Sequence, residues 1–266
     1  MTKQISIQVY SDIHLETIKD FPKILPTAKY LFLAGDICKL NHKLFFTFFD
    51  YCSPLWEKIF YTPGNHEFYS TRKNYETLDF EYNLKIKEKY KNVYYLNNNF
   101  VSLNDEINVY GCVFWNEYYN YPSLSYIDDD YANIYQFSKS KGYNVKINNV
   151  FINDLAKKEL EHIKNYFKMN QTSNKSTIIM THFPLMKMGN MIDLKYLNHF
   201  NFEKIPLCIS GHTHKSHDFN YKNTRLLSNQ VGYTKEFGNT GLYQEGKFML
   251  NYNTYDDYYD NIEEAF

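Results

Sequence analysis

The sequence predicts an α/β fold, in which strands and helices alternate along a chain of 266 residues. Short apolar runs end repeatedly in polar motifs rich in aspartate and histidine, and stretches with helical periodicity lie between them. Strands that alternate with helices form sheets covered by helices, and ligands of such sheets gather beyond the carboxyl ends of the strands. The polar motifs are therefore expected to share one site.

Five apolar runs are predicted to be strands, and each is followed directly by a polar motif. The runs span about residues 4–10, 30–34, 59–62, 177–181 and 207–210. They lead, in this order, into Ser11-Asp12-Ile13-His14, Gly35-Asp36, Gly64-Asn65-His66-Glu67, His182 and Gly211-His212-Thr213-His214.

The segments between these runs predict the other elements. Helical periodicity indicates helices over about 41–52, 71–90 and 152–168. Further strands are expected within 93–115, around a turn at Asn104-Asp105, and at 217–221, 225–228 and 240–252. The aromatic-rich segment from Trp115 to Tyr143 predicts a long loop near the site.

The chain is expected to form one domain over residues 1–254, because no low-complexity linker divides it. Residues 255–266 carry five acidic side chains and neither lysine nor arginine. This composition predicts a solvated acidic tail at the C-terminus.

Composition excludes several classes of protein. The net charge of −1 provides no overall attraction to nucleic acid or to an anionic membrane. No apolar run approaches the roughly 20 residues of a membrane span, and the N-terminus does not resemble a signal peptide. The four cysteines are scattered and form no CxxC pair. These features predict a soluble cytoplasmic protein and leave its oligomeric state open.

The polar motifs contain residue types that bind divalent metals. Asp12 and His14 are two positions apart, so on an extended strand end both side chains would point to one face and could hold one ion. Asp36 follows Gly35, which permits a sharp turn, and its carboxylate could bridge two ions. Each motif alone is weak, but five of the nine histidines fall within them. The mixture of carboxylate, imidazole and amide suits manganese, iron, cobalt or zinc.

The ordered pattern D-x-H, G-D, G-N-H-[DE], a single histidine and G-H-x-H makes the chain resemble the calcineurin-like metallophosphoesterases over about residues 5–250. It is similar in particular to single-domain bacterial members with a Gly-Asn-His-Glu-Phe-Tyr segment, Thr181-His182-Phe183-Pro184 and a late Asn-x-x-Gly-Tyr ending at Tyr233. Val231 precedes the late glycine, where that group often has arginine. A phosphate contact of the group is therefore expected to be missing.

The resemblance implies a four-layer α-β-β-α sandwich of two mixed β-sheets, with two divalent metal ions at one edge. It implies that Asp12, His14, Asp36 and His214 hold one ion, and that Asp36, Asn65, His182 and His212 hold the other. The bridging Asp36 would then be catalytic together with His66, which the resemblance places near the leaving-group oxygen as general acid or transition-state stabiliser. Manganese is favoured over iron, zinc and cobalt.

Three other residues near the motifs are candidates for supporting roles. Glu67 is expected either to orient the His66 imidazole or to lie at the surface. Asn116 and His217 are candidate substrate contacts.

The implied activity is hydrolysis of a phosphate ester. The segment Gly35-Asp36-Ile37-Cys38 lacks the arginine that protein Ser/Thr phosphatases carry after this motif, which disfavours protein dephosphorylation. The near-neutral charge disfavours a DNA-repair nuclease. The predicted partner is therefore a small phosphodiester or a nucleotide-type substrate. The alternatives are a phosphomonoesterase and a catalytically silent metal-binding scaffold of the same fold.

Overall fold

A computed structural model describes residues 2–19, 22–70, 72–115, 125–185, 202–236 and 240–253. The strands are β1 (Thr2–Tyr10), β2 (Tyr30–Ala34), β3 (Lys58–Thr62), β4 (Val93–Tyr95), β5 (Asn99–Ser102), β6 (Ile107–Cys112), β7 (Tyr135–Ser138), β8 (Tyr143–Lys146), β9 (Ser176–Thr181), β10 (Leu207–Ile209), β11 (His217–Tyr221), β12 (Thr224–Ser228) and β13 (Lys247–Asn253). The α-helices are α1 (Leu44–Cys52), α2 (Tyr75–Lys89), α3 (Ser125–Asn133) and α4 (Asn149–Met169).

The strands form two large mixed sheets and one small hairpin. The first sheet has the order β13-β1-β2-β3-β4, in which β1 to β4 are parallel and β13 is antiparallel. The second has the order β11-β12-β10-β9-β6-β5, with β5 and β11 as antiparallel edge strands. A parallel bridge between Ser11 and Gln230 joins the segments that follow β1 and β12, so the carboxyl ends of the two sheets meet.

The two sheets pack face to face, and helices cover their outer faces. Ile7, Val9 and Phe32 of the first sheet share a buried cluster with residues of the second, including Ile178 and Leu227. Helices α1 and α2 pack on the outer face of the first sheet, and α4 packs on that of the second. Burial of each large apolar side chain contributes about 1.5–3 kcal/mol, which holds the strand ends in place. The predicted four-layer sandwich with two mixed sheets is confirmed.

The three predicted helices are present, with shifted ends. Asparagine side chains explain two of the starts, because Asn74 accepts a hydrogen bond from Thr77 N at 2.8 Å and Asn148 accepts one from Phe151 N at 3.0 Å. An asparagine at this position satisfies backbone N–H groups that have no partner within the helix. Helices α2 and α4 therefore begin directly after these two residues.

Two expectations for the connecting segments are wrong. Residues 115–143 are not one long loop, because they include α3 and β7. Asp130 in α3 and Ile134 directly after it are buried, and their packing against the rest of the fold stabilises α3. The last strand begins at Lys247 and not at residue 240, since Gly246 adopts a φ of 59° and passes closely against the Tyr10 ring.

No helix among the described residues has the length and apolar character needed to cross a membrane. The predicted acidic tail, residues 255–266, lies outside the described residues. The domain boundary at residue 254 therefore stays a prediction.

Candidate metal centre

The polar motifs predicted from the sequence lie together where strands of both sheets end. Strands β1, β2 and β3 lead into the first three motifs, while β9 and β10 lead into the last two. Three overlapping groups have potential ligand atoms within 4.8 Å of one another: Asp12 with His14 and His214, His14 with Asp36 and His66, and Asp12 with Asp36 and His182. The fold therefore brings six of the predicted site residues to one place.

The backbone of the motifs is left-handed at five predicted metal ligands. Asp12, His14, Asp36, His212 and His214 have φ angles of 54°, 50°, 51°, 72° and 53°. This conformation costs a non-glycine residue about 1–2 kcal/mol and is concentrated at functional sites. An extended strand end is therefore the wrong explanation for the shared face of Asp12 and His14. Strand β1 ends before them, and their left-handed backbone brings the two side chains together.

Two glycines allow the motifs to approach each other closely. Gly35 has a φ of 81°, and a β-carbon there would lie 2.4 Å from His182 Nδ1. A β-carbon at Gly64 would lie 2.2 Å from Asp36 Oδ1. Both distances are far shorter than a normal van der Waals contact, so any larger residue would displace a predicted ligand. The sharp turn expected at Gly35 is present.

In the first half of the centre, two histidines point acceptor nitrogens at each other. His14 Nε2 and His214 Nε2 are 3.0 Å apart. The Nδ1 atom of His14 faces Glu16 at 3.5 Å, and that of His214 faces Glu236 at 2.6 Å. Because carboxylates accept hydrogen bonds, we assign the proton of each ring to Nδ1, which leaves lone pairs on both Nε2 atoms. Asp12 Oδ1 adds a third acceptor 3.6 Å from His214 Nε2. A cation between these acceptors would remove their repulsion.

The second half of the centre is arranged around His182, which is fully buried. Its Nδ1 faces the carbonyl oxygen of Ala34 at 3.0 Å, which assigns a proton to Nδ1 and leaves Nε2 as the nitrogen that can bind a metal. That Nε2 lies 3.0 Å from Asn65 Oδ1 and 3.4 Å from Asp36 Oδ2. The amide nitrogen of Asn65 donates to Asp130 at 2.8 Å, which turns the amide oxygen toward His182. A divalent metal ion that replaces the proton on Nε2 would have this nitrogen and both oxygens as ligands.

Asp36 lies between the two halves. Its Oδ2 is 3.8 Å from His14 Nε2 and 3.4 Å from His182 Nε2. Burial alone would raise the pKa of Asp36, but the neighbouring His182 and His66 bring that pKa well below its ordinary value. Burial would likewise lower the pKa of His182, yet Asp36 raises it to about 10. The centre therefore attracts positive charge, and protons and metal ions compete for it.

His66 lies beside these acceptors and has neighbours of a different kind. Its Nδ1 is 3.2 Å from Glu16 Oε1, and its Nε2 is 4.0 Å from Asp36 Oδ2 and 3.3 Å from the Tyr233 hydroxyl. Its ring stacks on Tyr69, with centroids 4.3 Å apart. Burial would lower the pKa of His66, but Asp36 and Glu16 raise it to about 9. A protonated imidazole in this position can donate from Nε2 toward the centre.

Glu67 is fully buried and supports the loop that carries Asp36. Its carboxylate accepts hydrogen bonds from the backbone nitrogens of Asp36 at 2.9 Å and Gly64 at 2.7 Å, and from the Tyr61 hydroxyl at 2.9 Å. A surface position and a contact with the His66 ring were the two expectations for Glu67, and both are wrong. Backbone donors of the Gly-Asp loop occupy its oxygens, and Glu16 is the carboxylate that reaches His66.

Of the remaining predicted residues, His212 lies at the centre, whereas the described contacts of His217 are elsewhere. His212 N donates to Asp12 Oδ1 at 2.9 Å, and its ring centroid lies 5.3 Å from that of His182. Burial lowers the pKa of His212 to about 3, which keeps its imidazole neutral and able to bind a metal. His217 begins β11 and packs against Phe219, and the contacts described for it do not reach the centre. Asn116 lies outside the described residues.

Three carboxylates that were not predicted as site residues contact predicted ligands on the side away from the centre: Glu16, Glu236 and Asp130. Glu16 had a signal in the sequence, because it lies two positions after His14, just beyond the first motif. Glu236 and Asp130 had none, since they are 22 and 65 residues from the side chains they contact. Such carboxylates orient metal ligands and increase their basicity.

Replacement of Asp130 by alanine tests this support. We expect Asp130→Ala to weaken binding of one metal ion by roughly 10- to 100-fold, because the Asn65 amide loses the acceptor that orients it. Calorimetric titration of metal-free protein with Mn²⁺ would measure the change. Asp129→Ala is the matched control, since Asp129 is the exposed neighbour on the same helix. Equal Mn²⁺ affinities for the two variants would contradict the role of Asp130.

A family model described as calcineurin-like phosphoesterase matches residues 5–216, a range that contains every motif of the centre. The chain belongs to the calcineurin-like phosphoesterase family. The resemblance recognised from the motifs is thereby confirmed. The chain is also similar to uncharacterized protein L509 of Acanthamoeba polyphaga mimivirus, with 30% identity over 271 residues that cover 89% of this chain and 94% of that protein.

Two solved structures share the fold of this calcineurin-like phosphoesterase. Phosphopantetheinyl hydrolase (PptH) from Mycobacterium tuberculosis aligns with a TM-score of 0.63 and 14% identity, covering 95% of this chain and 96% of that one. TT1561 of Thermus thermophilus aligns with a TM-score of 0.51 and 12% identity, covering 86% of this chain and 90% of that one. At these identities the comparison establishes the common architecture.

Membership of the family implies that the chain hydrolyses phosphate esters with the help of divalent metal ions. The side chains fit that requirement. Carboxylate oxygens and imidazole nitrogens are the ligands that borderline divalent metals prefer, and here they lie within 4.8 Å of one another in three overlapping groups. The buried side chains on both sides of Asp36 thus match the chemistry of divalent metal ions.

Proposed function

We propose that the protein is a phosphoesterase with a dinuclear metal centre that hydrolyses a small phosphodiester or a nucleotide-type substrate. The observation that carries the proposal is the position of Asp36 between two groups of predicted ligands, one around His14 and one around His182. Its Oδ2 atom faces both histidines. Two divalent ions bound in such a site would neutralise the phosphate oxygens, align the attacking water with the leaving group and make that water more acidic.

The contacts support a division of the ligands between two ions. We assign Asp12, His14, Asp36 and His214 to one ion, and Asp36, Asn65, His182 and His212 to the other. The facing nitrogens of His14 and His214 support the first set, and the contact between His182 and Asn65 supports the second. Manganese is the proposed metal, with iron, zinc and cobalt as alternatives that the same donors would accept.

His66 is proposed as the general acid of the reaction. Glu16 faces Nδ1 of its ring, so Nε2 is the nitrogen that faces the centre. A proton on Nε2 can pass to the oxygen of the departing alcohol when its bond to phosphorus breaks. Glu16 holds the ring in that orientation and stabilises its positive charge.

The lack of an arginine contact with the centre among the described residues supports a diester over a monoester. A phosphate monoester carries about 1.5–2 negative charges near neutral pH, whereas a diester carries one. The sequence contains two arginines, and neither has a described contact that could neutralise the additional negative charge of a monoester. Arg225 is paired with Asp218 at 2.6 Å, and Arg72 is exposed, with no described contact to the centre.

Hydrolysis of two chromogenic esters tests the proposal. Metal-free protein is loaded with Mn²⁺ and assayed with bis(p-nitrophenyl) phosphate and p-nitrophenyl phosphate, with and without EDTA. We expect the diester to be hydrolysed faster, EDTA to abolish turnover, and added Mn²⁺ to restore it. Faster turnover of the monoester would favour the phosphomonoesterase alternative. Failure to hydrolyse either ester, with Mn²⁺ bound, would favour the scaffold alternative.

A further inference from the structure

We infer that Tyr233 is a catalytic residue whose hydroxyl contacts the leaving-group oxygen together with His66. The inference rests on the proposed function and narrows it. It predicts a substrate class, namely phosphate esters of unactivated alcohols, whose departing oxygen needs both a proton and a second hydrogen-bond donor.

The backbone before Tyr233 is attached to the loop that carries Asp12. Val231 N donates to Ser11 O at 3.0 Å, and Gly232 N donates to Asp12 O at 2.9 Å. Gly232 has a φ of 74°, a conformation that few other residues adopt without strain. The position of Tyr233 is therefore determined by the same loop that positions a predicted metal ligand.

Glu236 attaches Tyr233 to a second predicted ligand. Its Oε2 accepts a hydrogen bond from Tyr233 N at 2.9 Å and another from His214 Nδ1 at 2.6 Å. The carboxylate of Glu236 therefore orients both the Tyr233 backbone and the His214 ring. A shift of Tyr233 would disturb the hydrogen bond between Glu236 and His214.

The ring of Tyr233 lies among three histidines of the centre. It stacks on His14 with centroids 4.2 Å apart and an interplanar angle of 28°, and it meets His214 edge-on at 4.8 Å. Its hydroxyl lies 3.3 Å from His66 Nε2, the nitrogen that faces Asp36. The side chain is half-buried, so solvent and substrate can reach it.

This geometry places two donors beside one oxygen position. An alcohol oxygen within hydrogen-bond distance of His66 Nε2 also comes within reach of the Tyr233 hydroxyl, because the two groups are adjacent. The phenol hydroxyl of Tyr233 carries a hydrogen that it can donate to that oxygen. The ring stack on His14 limits the motion of the hydroxyl, which reduces the entropy lost when substrate binds.

Hydrolysis of the ester forms one bond to phosphorus and breaks another. The oxygen of the attacking water bonds to phosphorus and releases a proton to solvent, while the bond between phosphorus and the ester oxygen breaks. The electron pair of that bond stays on the ester oxygen, which receives the proton from His66 Nε2. Tyr233 donates a hydrogen bond to the same oxygen and keeps its own proton.

Tyr233→Phe tests the inference, because it removes one oxygen and retains the ring that stacks on His14. Diphenyl phosphate and bis(p-nitrophenyl) phosphate provide a poor and a good leaving group. We expect kcat for diphenyl phosphate to fall by roughly 10- to 100-fold, the size of a hydrogen bond to a charged group. The kcat for bis(p-nitrophenyl) phosphate and the bound metal content are expected to change little, since p-nitrophenolate departs without help.

Tyr143→Phe is the matched control, since Tyr143 is 59% exposed on the β7-β8 hairpin. Equal losses on both diesters would overturn the inference and indicate that Tyr233 acts only by holding His66. Unchanged kcat on both would overturn it as well. In either case, metal-dependent turnover of bis(p-nitrophenyl) phosphate by the wild-type protein would leave the proposed function intact, whereas its absence would remove that function first.

Discussion

Asp36→Asn is expected to remove both metal ions together and to lower kcat/KM by roughly 10³-fold or more, because metals contribute several kcal/mol of charge stabilisation. The Oδ2 atom of Asp36 faces both His14 and His182, which belong to the two groups of predicted ligands. Asparagine keeps the size of the side chain but removes the negative charge. Each ion would then lose the anionic ligand that offsets the repulsion between the two cations.

Metal content measures this effect directly. Wild-type protein and Asp36→Asn are loaded with Mn²⁺ and dialysed, and bound metal is counted by plasma mass spectrometry. Asp105→Asn serves as control, since Asp105 lies exposed in the turn between β5 and β6. Loss of only one of two equivalents of Mn²⁺ would show that Asp36 belongs to a single ion and does not bridge.

His66→Ala is expected to retain both metal ions and to lower kcat by roughly 10²- to 10⁴-fold, the usual contribution of a general acid. The reason is the position of Nε2, which lies 4.0 Å from Asp36 Oδ2 while Glu16 faces the opposite ring nitrogen. Without the imidazole, the departing alcohol must take its proton from solvent. The effect should therefore be largest for esters with poor leaving groups.

Turnover of diphenyl phosphate and bound Mn²⁺ would be measured in the same samples. His162→Ala provides a control, because His162 is exposed on α4. Wild-type kcat in the His66 variant would eliminate the catalytic role. Loss of a metal ion would instead make His66 a ligand, an arrangement suggested by the grouping of His14, Asp36 and His66.

Effects on metal binding and effects on proton donation can be separated by comparing the variants. Asp36→Asn and Asp130→Ala are both expected to change metal binding, the first at both ions and the second at one. His66→Ala and Tyr233→Phe are expected to change kcat at constant metal content. Because neighbouring groups at one site do not contribute additively, a double variant of His66 and Tyr233 should lose less than the product of the two single losses.

The fold class and the residue types of the centre could be predicted from the amino-acid sequence, and the four layers were implied by the family resemblance of the motifs. Apolar runs that end in polar motifs encode strands whose ends carry chemistry, and this pattern is local, so it can be recognised without coordinates. The family followed from the order of the motifs, and the family model confirms it. The helices α1, α2 and α4 were also predictable, because their periodicity is local.

The orientation and support of the predicted ligands, in contrast, depend on tertiary contacts. The left-handed backbone of Asp12 and His14 is not visible in their spacing, and Glu67 binds backbone groups that the sequence does not place near it. Asp130 lies in a segment predicted to be a loop and becomes part of the centre through a contact across 65 residues. Local patterns specify residue types and elements, whereas the polarity of the centre arises from contacts between distant segments that exist only once the two sheets have packed together.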